Sequence, residues 1–370
     1  MSVSTLSIGL TALASVVAAT SSLWVENAPT HVRPYAIEHY APAQAVAVGA
    51  QIYRFPVTGA SSGGKFSLIS TASYASSALG VLPHTHEAHY ENFFCYKGRF
   101  QLWAQGEEQS SQAARLLTVG DYGAVPKNTT HTYQILDPDT EMTGVIAPGG
   151  FEKLFFFLAD SNYSSPLDTP FVPLASNDSA GSGSSASVIS ALKDYDVYAQ
   201  LAFEPRRDLV NGSAPASGWH TEASVAVNDS QTPFFVAKDY GTKYLNNGSF
   251  YQLVQPFVQP TQAGDANFTE GTVTISRLSS PKKQAALPNI TLPDHMALEV
   301  LEGAIMLEMT GQTIQLIGGD VAFIPEGTPF RYWSQVAFTK FLYIGAGRDT
   351  LDQRLIRNAT SWDYAVFPTS

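Results

Sequence analysis

Val119 to Tyr133 reads VGDYGAVPKNTTHTY, and Gly318 to Tyr332 reads GGDVAFIPEGTPFRY. Gly120, Asp121, Pro126, Thr129 and Tyr133 each return 199 residues later, as Gly319, Asp320, Pro325, Thr328 and Tyr332. Upstream, ENFFCYKGRFQL (Glu91 to Leu102) parallels MALEVLEGAIML (Met296 to Leu307), with Gly98 and Gly303 at matching hairpins. The entries also correspond: RPYAI from Arg33 and TPFFV from Thr232. Self-similarity held in register marks one supersecondary module used twice.

Each module reads as β structure. Short runs rich in Val, Ile, Phe, Tyr and Thr dominate, such as 92–101, 131–136, 272–277 and 321–325, and Gly, Pro and Asn punctuate them. Many short strands separated by turn residues indicate an all-β sandwich or barrel. Between the modules, Leu174 to Ser187 (LASNDSAGSGSSAS) is a Gly/Ser-rich connector. The whole connector is expected to run over 161–230, with a short helix near 190–202. The expected division is therefore a leader at 1–20, a first barrel at 21–160, the connector, and a second barrel at 231–370.

The 370-residue chain carries a net charge of −11 and only 14% charged residues, against roughly 25% in a typical soluble domain. An acidic chain without a polybasic run does not suit phosphate neutralisation or an anionic membrane, so neither nucleic acid nor membrane is expected as a partner. Leu6 to Ala19 is an apolar stretch of 14 residues ending in small residues. It is shorter than the roughly 20 residues that span a bilayer, and it fits a secretory leader. Sequons start at Asn128, Asn162, Asn177, Asn211, Asn228, Asn247, Asn267, Asn289 and Asn358, nine of the twelve asparagines. Glycans on these would keep a weakly charged surface soluble. The chain reads as a secreted glycoprotein. Its one cysteine, Cys95, permits no internal disulfide and reads as a buried apolar residue.

The chemistry is carried by Gly80 to Gly98, GVLPHTHEAHYENFFCYKG. His84 and His86 are two apart, so on a strand they face the same way. Glu91 lies five residues after His86, which breaks strand parity and requires a turn between them. His131 arrives on a separate strand after the Gly-Asp turn and Pro126. Three imidazoles and one carboxylate make a metal site that keeps open positions. His89 is expected on the turn between ligand strands. His31, His39, His220 and His295 are expected in surface or loop roles.

The pattern G-x3-HTH-x4-E-x6-G followed by G-x5-P-x-N-x2-H resembles the two signature motifs of the cupin superfamily, whose members are small jelly-roll β-barrels. Two in one chain would make a bicupin. Gly80 stands closer to His84 than in the commonest spacing, and Asn128 replaces the usual glycine; both departures lie in turns. By that resemblance His84, His86, Glu91 and His131 are the ligands. In the second module Met296 and Phe330 stand where Glu91 and His131 do, and His295 aligns with Tyr90, so no metal is expected there.

Longer phrases narrow the resemblance. ENAPTHVRPY from Glu26, IYRFPVTG from Ile52, the segments 79–105 and 120–156, DVYAQLAF from Asp196, VNGSAPA from Val210 and GGDVAFIPEG from Gly318 are similar to secreted fungal quercetinases. That resemblance implies one mononuclear Cu(2+), no organic cofactor, and opening of the central flavonol ring with O2 to give carbon monoxide and a depside. Cu(II) leads the affinity order for such donors, which would also accept other divalent ions. The resemblance implies that Glu91 takes the flavonol 3-hydroxyl proton, and that electron density then moves toward the metal. It also implies that Tyr53, Thr71, Phe93, Tyr133, Met142 and Ile146 line the pocket. Ile69 and Tyr133 differ from the Met and Phe of those family positions, which bears on preference among flavonols. A lid is expected near Pro170 to Pro173. A manganese oxalate oxidase or decarboxylase would share the ligands but favour a small polar pocket. A non-catalytic ligand-binding bicupin would not need an intact site. Homodimerisation is left open.

Overall fold

The computed structural model describes residues 22–163, 185–224, 227–278 and 284–368. The expected leader at 1–20, the expected lid at Pro170 to Pro173, and Asn177 lie outside the described residues.

The described chain is all-β and builds two barrels, as expected. An eight-stranded and a six-stranded sheet form the first barrel, and a nine-stranded and a three-stranded sheet form the second. Burial along each strand follows its place. Ala304–Met309 alternates between partly exposed and buried because only one face meets the core. Met296–Glu302 is buried along its first five residues, MALEV, because one face fills its own barrel and the other meets the first barrel. A single apolar cluster runs through this junction, joining Tyr90, Phe94, Tyr122 and Val145 to Phe257, Phe268, Ala297, Phe323 and Leu342.

The duplication is visible in the register. His131 pairs with His84 in the first barrel, and Phe330 forms the matching bridge with Ile290 in the second. Gly98 and Gly303 turn their hairpins at φ +70° and +77°, a region where a side chain is strained. Tyr133 donates to Gln51 Oε1 at 2.5 Å, and Tyr332 donates to Gln252 Oε1 at 2.5 Å.

The corresponding entry strands are exchanged. Tyr35–Ile37 leaves the first module and pairs with Val321–Ile324 of the second barrel. Phe234–Val236 does the reverse, pairing with Tyr122–Val125 of the first. The repeated Gly-Asp turn explains how the exchange is held. Asp121 accepts from its own turn at Thr118 N (2.7 Å) and from the exchanged segment at Lys238 N (2.8 Å). Asp320 accepts from Ile317 N (2.9 Å) and from His39 N (3.1 Å).

The expected helix near 190–202 lies earlier. Ala186–Ala191 is α-helical and Leu192–Tyr195 is a 3-10 turn. Ser185 starts the helix by accepting from Val188 N, and left-handed Asp196 (φ +61°) ends the turn. Two of the histidines expected in surface or loop roles do lie in loops, but where the barrels meet: His39 bonds to Glu141 at 2.8 Å, and His295 is buried. No helix among the described residues is long and apolar enough to cross a membrane.

Candidate metal centre

His84 lies on the short strand His84–Thr85, Glu91 on Tyr90–Lys97 and His131 on Thr130–Ile135. His86 opens the turn that separates the first two. One ligand atom from each of His84, His86, Glu91 and His131 falls within 4.8 Å of the others. His131 is fully buried, and His84 and His86 nearly so.

The outer ring nitrogens are already committed. His84 Nδ1 donates to Leu82 O at 2.8 Å, His86 Nδ1 to Asp196 O at 2.7 Å, and His131 Nδ1 to Thr129 O at 3.1 Å. A carbonyl can only accept, so these bonds place the proton on Nδ1 and leave Nε2 as the inward donor atom. Glu91 Oε2 then lies 3.1 Å from His86 Nε2 and 2.9 Å from His131 Nε2. An acceptor oxygen facing two bare lone pairs is repulsive unless positive charge lies among them. Either the imidazoles carry protons or a cation sits between the four groups. The donor set fits a divalent first-row transition metal.

The charge balance points the same way. Burial, reinforced by neighbouring His131 and His86, holds His84 well below the usual imidazole range, so it is a neutral donor. Burial favours the neutral acid at Glu91, but hydrogen bonds with His131 and His86 outweigh it and keep the group a carboxylate. Burial also opposes charge on His86, yet its bond to Glu91 raises its basicity.

His84 and Glu91 open onto a cavity of about 400 Å³ with otherwise largely apolar walls. All six residues expected at the pocket line it: Tyr53, Thr71, Phe93, Tyr133, Met142 and Ile146, with Ile69 beside them. No Lys or Arg is among the lining residues. A polar string in the wall runs from Tyr53 to Tyr133 (3.3 Å), to Gln51, and on to Gly80 O (2.6 Å). Since Tyr133 spends its proton on Gln51, Tyr53 is the donor to Tyr133. Burial pushes both phenols upward, so they stay neutral.

Comparison with known proteins places this arrangement. Over 351 residues the chain is 49% identical to "Quercetin 2,3-dioxygenase" of Aspergillus japonicus, covering 94% of this chain and 99% of that one. The chain belongs to the quercetin 2,3-dioxygenase family. A second family member, from Bacillus subtilis (strain 168), is 32% identical over 132 residues, 36% of each chain. No family model matches. Among solved structures, Lactobacillus farciminis oxalate decarboxylase in its formate complex has TM-score 0.48 and 14% identity, covering 82% of this chain and 83% of that one. A cupin barrel protein from Leptotrichia buccalis has TM-score 0.41 and 8% identity, covering 81% and 90%.

Sequence reading missed several residues at this family's site. Phe151 and, on the helix Glu152–Leu158, Leu154, Phe155 and Leu158 close one wall, with Phe155 stacked on Tyr53 at 4.1 Å. The apolar run FEKLFFF was the available signal. Leu192 and Val197 reach the pocket from the connector, and no local pattern announces them. His89 lies on the ligand turn, as expected, bonded to Asp196 at 2.7 Å. Cys95 is buried, and burial pushes its thiol upward.

Among the described residues the second barrel gathers no such cluster. The bridge Ile290–Phe330 and the bond from Gly327 N to Leu292 O reproduce the pairing of His84 with His131 and the bond from Asn128 N to His86 O. Ile290, Leu292, Met296 and Phe330 therefore occupy the four ligand positions, and they pack together in that barrel's apolar core.

Proposed function

We propose that the chain is a secreted, copper-dependent dioxygenase that opens the central ring of quercetin-type flavonols with O2, releasing carbon monoxide and a depside. The observation that carries this reading is a three-imidazole, one-carboxylate centre opening onto an apolar cavity of about 400 Å³. That volume suits a flat polyphenol. A small dicarboxylate would call for a cationic partner, and the described lining residues include no Lys or Arg.

His84, His86, Glu91 and His131 are the residues that would hold the ion. When bound, it would supply Lewis acidity to a substrate oxygen and accept electron density from it. Phe93, Met142 and Ile146 exclude water from the ring plane, while Tyr53, Thr71 and Tyr133 offer polar edges. Glu91 takes the proton of the flavonol 3-hydroxyl on a carboxylate oxygen and keeps it hydrogen-bonded to the substrate. Each turnover consumes one O2 and yields one carbon monoxide.

The proposed division keeps the leader at 1–20, the metal-binding cupin at 21–160, the connector at 161–230 and a metal-free cupin at 231–370. Exposure of all eight described sequon asparagines (Asn128, Asn162, Asn211, Asn228, Asn247, Asn267, Asn289 and Asn358) supports glycosylation and export. Of the three asparagines outside sequons, Asn92 and Asn246 are buried and Asn27 is exposed.

The test is metal quantification followed by quercetin in air, with flavonol absorbance and headspace carbon monoxide recorded together. Carbon monoxide equal to flavonol lost, scaling with copper content, is expected. His84→Ala and His131→Ala lose metal and turnover while staying folded. Glu91→Gln retains some metal but loses most turnover. A copper-loaded protein that spares quercetin refutes the proposal.

A further inference from the structure

Two of the three imidazoles are oriented by their own strands: the carbonyls of Leu82 and Thr129 each lie two residues before the histidine they hold. His86 differs. Its Nδ1 donates to the carbonyl of Asp196, 110 residues away in the connector. The same residue binds the whole turn that follows His86. Asp196 Oδ1 accepts from Glu87 N at 3.0 Å, and Oδ2 accepts from Ala88 N (2.9 Å), His89 N (3.0 Å) and His89 Nδ1 (2.7 Å). Three successive backbone N–H groups gathered on one carboxylate form an anion nest.

Asp196 is itself held in place. It ends the 3-10 turn Leu192–Tyr195 in the left-handed region, at φ +61° and ψ +34°, with its N–H bonded to Leu192 O and Lys193 O. Aspartate tolerates that conformation better than most residues. Leu192, which opens the same turn, and Val197, which follows Asp196, line the cavity. One short element therefore carries a wall of the pocket and the acceptor that aims one imidazole.

We infer that Asp196 is a positioning residue: its carboxylate latches the connector onto the 86–89 turn so that its carbonyl fixes His86 and ties the metal ligand to the pocket wall. The inference rests on the metal-dependent reading above. Outer partners of ligating histidines typically alter metal affinity or activity 10- to 100-fold. The bond to His86 comes from a backbone carbonyl, so substitution acts by unlatching that carbonyl, not by deleting it.

The informative variant is Asp196→Gly, which keeps the left-handed cap without strain and removes all four carboxylate bonds. Asp196→Asn is the conservative rescue, since it retains one acceptor oxygen. His89→Ala is the control, because it deletes one partner of the carboxylate and leaves the backbone bonds. Apo protein of each would be titrated with Cu(II) against a competing chelator, the copper EPR spectrum recorded, and the apo melting temperature measured separately. In Asp196→Gly, copper affinity is expected to fall roughly 10- to 100-fold, with altered hyperfine splitting and a raised quercetin KM. Asp196→Asn falls between Gly and wild type, and His89→Ala stays near wild type. An Asp196→Gly protein that melts lower but binds copper with wild-type affinity and spectrum would reduce Asp196 to a turn staple and overturn the inference. If the Gly variant does not fold, wild-type affinity and spectrum in Asp196→Asn overturn it equally. Wild-type protein that takes up no copper removes the metal reading and this inference together. Tight copper binding by wild type and Gly variant alike removes the inference alone.

Discussion

Replacing Glu270 and Glu299 with glutamine is expected to flatten the fall of stability with rising pH. Both carboxyls are buried where the barrels meet. Tyr122 donates across the junction to Glu270 at 3.1 Å, and Thr143 donates across it to Glu299 at 3.2 Å. Facing them are Glu141 and His39 beside Glu299, and Tyr90 and Tyr343 near Glu270. Burial pushes each acid from 4.5 up to about 8. A group protonated more tightly in the native state binds more protons there than in the unfolded chain. Its contribution is therefore complete below pH 4.5 and is lost as pH rises toward 8. In mid-window the slope is about −1.4 kcal/mol per pH unit for each group, and the whole shift is on the order of 5 kcal/mol per group. At about 1–2 °C per kcal/mol for a chain of this size, wild type should lose several degrees of melting temperature between pH 5.5 and 7.5. The double variant should match wild type near pH 4.5 and exceed it progressively toward pH 8. Thermal melts at equal metal loading, followed by near-UV circular dichroism, read this directly, and titration at the metal centre is common to both proteins and cancels. Parallel melting curves from pH 5 to pH 8 would refute the reasoning.

Three further outcomes test other parts of the argument. A Cβ at Gly80 would overlap the Tyr133 ring, with Cδ2 only 2.7 Å away; Gly80→Ala should push that ring into the cavity and lower kcat/KM for quercetin roughly 10- to 100-fold at unchanged metal content. Tyr133→Phe leaves Gln51 and Tyr53 without their shared partner and should cost about 1–3 kcal/mol; its turnover ratios across flavonols should shift toward less hydroxylated ones, and unchanged ratios would exclude Tyr133 from selectivity. Residues 22–230 and 231–368 expressed separately should each aggregate, since each lacks the entry strand the other supplies, whereas co-expression should restore a monodisperse species by size-exclusion chromatography.

What the sequence disclosed depended on distance along the chain. His84 and His86 were legible because a strand repeats every two residues, and Glu91 because its broken parity demanded a turn. The turn exists, but the residue that holds it, Asp196, is 110 positions away, and the phrase DVYAQLAF that it opens gives no sign of that contact. The repeat revealed that RPYAI and TPFFV correspond, yet a symmetric repeat does not say which barrel each strand joins. The exchange appears only in the pairings Tyr35–Phe323 and Phe234–Ala124. Ile290 and Leu292 were missed because the segment before Met296 follows a different offset from the one after Gly319. His39 and His295 lie in loops, as expected, but their place at the junction was not legible, because sequence shows a barrel's outer face as polar or apolar, not as covered by another barrel.

The second barrel repeats the frame of the first without its His/Glu cluster among the described residues, and the structure gives separate reasons for the likeness and the difference. Gly319 and Asp320 persist beside an exchanged strand, with Asp320 bonded to His39 N. Tyr332 persists with Gln252, and that bond spans the barrel interior whether or not a metal is near. None of these serves a ligand. At the four positions that correspond to the candidate ligands, Ile290, Leu292, Met296 and Phe330 close that space as core. Single substitutions would not rebuild the cluster. A lone Phe330→His would bury an imidazole with no cation and no carboxylate to receive it, at a cost of several kcal/mol. The barrel still bears on catalysis, because Phe234–Val236, leading into it, pairs with Tyr122–Val125, and that strand pairs with the one carrying Glu91. The second half thus contributes a strand to the first barrel's sheet, one strand removed from Glu91.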